Sequence, residues 1–112
     1  MNDWTKISAL RARDERRSQA PTPELVELLL VTKVSEEANE AAELYRRSKG
    51  WGTNGKINAS DHEVQHEMCA AIMAGMVALD RISPNGSARQ VWKEYLEFGY
   101  TRAVQENAQH AS

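Results

Sequence analysis

The chain has 112 residues, 41% hydrophobic and 27% charged, which fits one domain (1–112) with a small core and excludes intrinsic disorder. Its formal net charge of -2 gives no electrostatic reason to expect duplex nucleic acid as a partner. No apolar run approaches the ~20 residues of a membrane span, MNDWTKIS lacks the apolar stretch of a signal peptide, and the single Cys69 excludes an internal disulfide; a cytoplasmic location, with no membrane partner, is the expectation.

Punctuation divides the chain into four helical segments. Asn2 to about Arg17 reads as a charged, weakly amphipathic first helix. Its Arg11, Arg13, Arg16 and Arg17 are interrupted by Asp14 and Glu15, so the cluster reads as a solvated face. After Ser18-Gln19-Ala20-Pro21, Thr22-Pro23 supplies an N-cap and a proline at the first helical position. The second helix should run from Pro23 to about Lys49, with Gly50 as its stop. The stretch from Gly50 to Ala59 holds three glycines and no helical period, and so predicts a loop.

Ser60-Asp61-His62-Glu63 has the capping-box pattern of a third helix extending to about Ile82. Ser83-Pro84-Asn85-Gly86 is a turn, and Ser87-Ala88-Arg89-Gln90 is a second capping-box pattern, opening a last helix to roughly Gln105. No segment alternates like a strand, so the fold class is all-α, with four helices packed as a bundle. On the third helix Val64, Met68, Ala71, Ile72, Gly75 and Leu79 share an arc, while Met73 and Val77 lie away from it. One core does not absorb both faces, which argues for a homodimer unless loops or the first helix cover one of them. Trp92, Tyr95 and Phe98 of the last helix read as core or dimer contacts, and Cys69 as a small buried residue.

The chemistry is concentrated on the second and third helices. Lys33, Glu36, Glu37 and Glu40 fall within an arc of roughly 100°, beside the apolar stripe Leu30, Val34, Ala38, Ala41 and Tyr45. Carboxylates three and four residues apart repel at the edge of a core unless a cation compensates. A hard divalent ion would do so, and Mg²⁺ bridges naturally to substrate phosphates. Glu63 and Glu67 lie one turn apart on the third helix, and the same stripe continues through Ala70. A purely solvated acidic edge remains the alternative, and Glu63 is also the capping partner of Ser60. Lys33 and Lys56 are candidates to contact phosphates. Trp51 is a candidate either to stack on a base or to plug the end of the bundle.

The run Glu36-Glu37-Ala38-Asn39-Glu40, a glycine-rich spacer, then Glu67-Met68-Cys69-Ala70 resembles the EExxE and ExxD signature of the MazG-like pyrophosphohydrolases. The resemblance covers about Leu28 to Ile82, with a helix after Ser87 also in the expected place. It implies an all-α dimer or tetramer that hydrolyses a nucleoside triphosphate to monophosphate and pyrophosphate with Mg²⁺, or alternatively Mn²⁺. By the same resemblance Glu37, Glu40 and Glu67 match metal ligands, and Glu36 matches the first acid of the motif, a residue that can help orient the attacking water. Two positions depart from the pattern. Asn39 stands where glycine is common, and Ala70 stands where the signature has its aspartate ligand. Three explanations compete for Ala70: a substitution that inactivates the site to trap substrate, a binding or regulatory homologue that no longer turns over, or replacement of the ligand by Glu63, Glu36 or His66.

Overall fold

The computed structural model describes residues 1–111. Its elements are four α-helices and one short 3-10 turn: α1 (Asp3–Arg17), α2 (Pro23–Ser48), α3 (Asp61–Ile82), the turn Pro84–Gly86, and α4 (Ala88–Ala111). The all-α expectation holds, and there is no strand among the described residues. Among the described residues no helix is long and apolar enough to cross a membrane.

Local chemistry explains most of the boundaries. The Asn2 side chain accepts from Thr5 N at 2.9 Å to open α1, and Thr22 Oγ1 accepts from Leu25 N at 3.2 Å to open α2 ahead of Pro23. At the end of α2 the Trp51 N–H returns to the Arg46 carbonyl at 2.8 Å and the Gly50 N–H to the Arg47 carbonyl at 3.3 Å. That pattern needs a left-handed residue, which Gly50 supplies at φ +75°. The capping box at Ser60 forms as expected, its hydroxyl accepting from Glu63 N and Glu63 Oε1 accepting from Ser60 N, each at 3.1 Å.

The expected second capping box does not form. Ser87 lies at φ -82°, ψ -2°, already in the helical region instead of the extended N-cap conformation, and its N–H donates to the Pro84 carbonyl at 3.2 Å. Gln90 turns forward, its Nε2 donating to Glu94 Oε1 at 2.9 Å. Helix α4 also runs past Gln105 to Ala111; the added residues contain no proline or glycine to stop it.

Helices α2 and α3 form an antiparallel hairpin. Glu67 lies opposite Glu37, and at the other end Arg81 reaches Glu27 and the Pro23 carbonyl. Helix α1 packs on this hairpin through Ile7, which joins Leu30 of α2 and Val77 of α3 in the buried cluster, with Trp4, Leu10, Val26 and Met76 around it. The buried side of α3 is therefore the one carrying Ala74, Val77 and Ala78, while Met68 and Ile72 of the other arc stay exposed. A polar clamp ties the helix ends together. Buried Asp80 accepts from Arg11 Nε at 2.7 Å and from Ser8 Oγ at 3.0 Å, while Arg81 donates to Glu15 Oε1 at 3.0 Å and to the Pro23 carbonyl at 3.1 Å.

The four helices do not make one closed bundle within a single chain. Ala88 is the only buried residue of α4 among those described, and the helix projects from the end of α3. Trp92, Tyr95 and Phe98 are therefore not part of this chain's own core; they are exposed, together with Val91, Leu96, Tyr100 and Val104. Cys69 is exposed as well, contrary to the expectation of burial, because it lies on the side of α3 facing away from α2.

Candidate metal centre

The hairpin register brings three of the sequence-selected acids together. Glu37 and Glu40, one turn apart on α2, and Glu67 on α3 each offer a carboxylate oxygen, and these oxygens all lie within 4.8 Å of one another. Glu37 and Glu67 are half-buried and Glu40 is exposed. The helical spacing explains the pair on α2, and the packing of the hairpin supplies the third member.

The electrostatics of this cluster are unfavourable without a counter-charge. Glu67 Oε1 is closed off from solvent and has no hydrogen-bond partner among the described residues. Ionised carboxylates accept but do not donate, so three of them together satisfy nothing among themselves. A proton relieves the conflict in part. The Glu67 carboxyl is pushed up to about 7, first by hydrogen bonding to Glu37 and Glu40, then by burial and by the negative charge of the same two residues. A divalent cation relieves it more fully, because it meets all three oxygens with one hard positive centre. The orphaned oxygen and the all-oxygen donor set therefore fit a Mg²⁺-type ion.

Beside the carboxylates is a cavity of about 60 Å³ lined by Arg13, Asp14, Lys33, Glu37, Ala70 and Met73, with Leu30, Ala74 and Val77 as its floor. Ala70 opens onto this space, so the position of the expected aspartate faces the same volume as Glu37. Lys33 lies on the cavity wall without a hydrogen bond or ion pair to any described residue. Arg13 and Asp14 are additions that the sequence reading did not anticipate. Arg13 donates to Asp14 Oδ1 through Nε at 3.2 Å and through Nη2 at 3.0 Å, and α1 carries both to the cavity mouth. Nothing in the spacing of α1 marks them, because Asp14 and Glu15 interrupt its arginines and the stretch reads as a solvated charged face.

The remaining candidates are placed elsewhere. Glu36 is exposed on α2 and stays outside the three-carboxylate cluster. Glu63 is occupied by its cap: the Ser60 backbone N–H and then its hydroxyl hold the Glu63 carboxyl below the ordinary range. His66 stacks on His62, with ring centroids 4.1 Å apart, and does not join the carboxylates. None of the three therefore joins Glu37, Glu40 and Glu67 in place of an oxygen at position 70. Trp51 is exposed and meets Tyr45 edge-on at 6.0 Å, at the end of α2. Lys56 lies in the exposed loop, where its backbone N–H donates to Asn54 Oδ1 at 3.0 Å. Neither Trp51 nor Lys56 lines the cavity beside the carboxylates. Comparison with family models, with curated proteins and with solved structures finds no match to this chain.

Proposed function

We propose that the chain is a nucleoside triphosphate pyrophosphohydrolase of the MazG-like kind, dependent on Mg²⁺ or Mn²⁺ and working as a homo-oligomer. The observation that carries this reading is the orphaned Glu67 Oε1 among the carboxylates of Glu37 and Glu40. Glu37, Glu40 and Glu67 would hold the ion, whose chemistry when bound is to neutralise triphosphate oxygens and to acidify coordinated water. Lys33, unpaired on the wall of the adjoining cavity, would attract and orient a phosphate. Glu36, one residue before Glu37 on the exposed side of the helix, would accept a hydrogen bond from the attacking water. Trp51 and Lys56 would contribute by movement of the loop that carries them.

A second reading is favoured by Ala70, which contributes no oxygen to the cavity it faces. On this reading the chain binds a nucleotide through a three-carboxylate site and does not turn it over. Pyrophosphate release from a panel of nucleoside triphosphates, by the chain and by its Ala70→Asp variant, separates the two. Release by both supports the enzyme. Release by the aspartate variant alone, with Mg²⁺-dependent binding by both, supports the binding protein. Absence of Mg²⁺-dependent nucleotide binding from both removes the nucleotide site altogether.

A further inference from the structure

We infer that His62 and His66, on the opening turns of α3, form a second metal site that takes a borderline divalent ion, Zn²⁺ above all, independently of the acidic cluster. The two residues are four apart on one helix, so their side chains leave the same face one turn apart. Their rings already gather there, with centroids 4.1 Å apart and 51° between the planes. Both residues are exposed, and neither ring is hydrogen-bonded to a described residue. No contact within the chain has to be broken for the ring nitrogens to take an ion.

The separation suits one shared ion. With Zn–N bonds of about 2.0–2.1 Å, two imidazoles on a tetrahedral centre stand with centroids roughly 5 Å apart, so the rings need to open by only about 1 Å. Exposed side chains make such an adjustment by small rotations, without moving the helix. The donor set then decides the ion: neutral imidazole favours Zn²⁺, Ni²⁺ and Cu²⁺, whereas Mg²⁺ prefers oxygen. The start of a helix is a poor place for a cation, because the dipole presents its positive end there. Asp61 and Glu63, in the same first turn, supply compensating negative charge.

The run His62-Glu63-Val64-Gln65-His66 also matches the HExxH pattern of zinc-dependent peptidases. In that chemistry the intervening glutamate is the general base and a third protein ligand completes the site. Glu63 is not free for that role, since its Oε1 accepts from Ser60 N at 3.1 Å in the capping box. Among the described residues no third His, Cys, Asp or Glu gathers at the pair. A two-nitrogen site completed by water therefore holds an ion and clips the first two turns of α3; it does not cut peptides.

Calorimetric titration of the untagged full chain with Zn²⁺, in an excess of Mg²⁺ that competes for oxygen ligands, tests the pair. One Zn²⁺ per chain is expected, with the imidazole NMR signals of His62 and His66 shifting together and those of His110 unmoved. His62→Gln and His66→Gln should each weaken binding by at least about tenfold. Both side chains are exposed, so the helical circular dichroism of the variants should be unchanged. Cys69→Ser, one turn beyond His66, should leave the affinity as it is. The inference is overturned by absence of Zn²⁺ binding, by Zn²⁺ uptake that Mg²⁺ suppresses, or by full affinity in both glutamine variants. Loss of binding in Cys69→Ser overturns it as well, by moving the ion to the thiol. Mg²⁺ binding at Glu37, Glu40 and Glu67 is read in its own titration, so either site can fail without the other.

Discussion

Glu67 of α3 and Glu37 of α2 face each other across the helical hairpin with carboxylate oxygens within 4.8 Å, and neither residue can donate a hydrogen bond to the other once both are ionised. In the folded chain the Glu67 carboxyl holds its proton up to about 7, while its ordinary value is 4.5. Between these two pH values the folded state binds more protons than the unfolded state, so stability falls as pH rises through the window. Thermal melts without divalent ions should show Tm decreasing from pH 4.5 to pH 7.5. Mg²⁺ should raise Tm at pH 8 and have little effect at pH 5, where Glu67 carries its proton. A Mg²⁺ effect equal at both pH values would refute the linkage.

Glu67→Gln removes one charge from the cluster and supplies an amide N–H that Glu37 or Glu40 can accept. The metal-free variant should be more stable than the parent at pH 8 and should lose both the pH slope and the Mg²⁺ response. Differential scanning fluorimetry across pH, with and without Mg²⁺, is the measurement.

Ala70→Asp places a carboxylate into the cavity that also holds Lys33 and Arg13. The packed side of α3, carried by Ala74, Val77 and Ala78, is untouched, so the helical circular dichroism should be retained. Mg²⁺ titration by calorimetry should show binding tightened by about an order of magnitude, or ~1.4 kcal/mol, for one added oxygen ligand. Unchanged affinity would place the ion away from position 70.

Asp80→Ala tests the clamp at the other end of the hairpin. Buried Asp80 accepts both from Arg11 Nε and from Ser8 Oγ, and its loss leaves the half-buried Arg11 guanidinium with Glu15, at 3.2 Å, as its remaining partner among the described residues. The expected cost is about 2–3 kcal/mol, measured by urea unfolding, with no change in Mg²⁺ affinity.

Ser60→Ala removes half of the capping box that opens α3. Unfolding free energy should fall by about 1 kcal/mol. Glu63 keeps the backbone N–H of residue 60 and loses only the hydroxyl, so by NMR its carboxyl should stay below the ordinary range and move only part of the way back.

Helix boundaries were legible wherever a single residue type carries the signal: Thr22-Pro23 for the start of α2, Gly50 for its end, Ser60 with Glu63 for the start of α3. The pairing of Glu37 with Glu40 was legible too, because helix periodicity alone puts them on one stripe. The resemblance singled out Glu67, but its meeting with Glu37 and Glu40 depends on the register between two helices, which no local pattern encodes. Ser87 shows the opposite failure: the capping-box residues are present, but the preceding Pro84–Gly86 turn delivers Ser87 already in a helical conformation, so the motif has no cap to make. Arg11 and Arg13 looked like solvated charge, since Asp80, the partner of Arg11, comes from α3 nearly 70 positions further along, and the cavity beside Arg13 is walled by both α2 and α3.

The twelve residues from 49 to 60 that connect α2 to α3 are closed at their base by Arg47, whose Nε donates to Asn58 Oδ1 at 3.0 Å and whose carbonyl accepts from Asn58 N at 3.2 Å. Everything beyond that latch, Trp51 and Lys56 included, can lengthen, shorten or change sequence without shifting Glu37, Glu40 or Glu67 on the helices. The three carboxylates and the loop are thus mechanically independent, and the loop can vary while the geometry of the acidic cluster stays still.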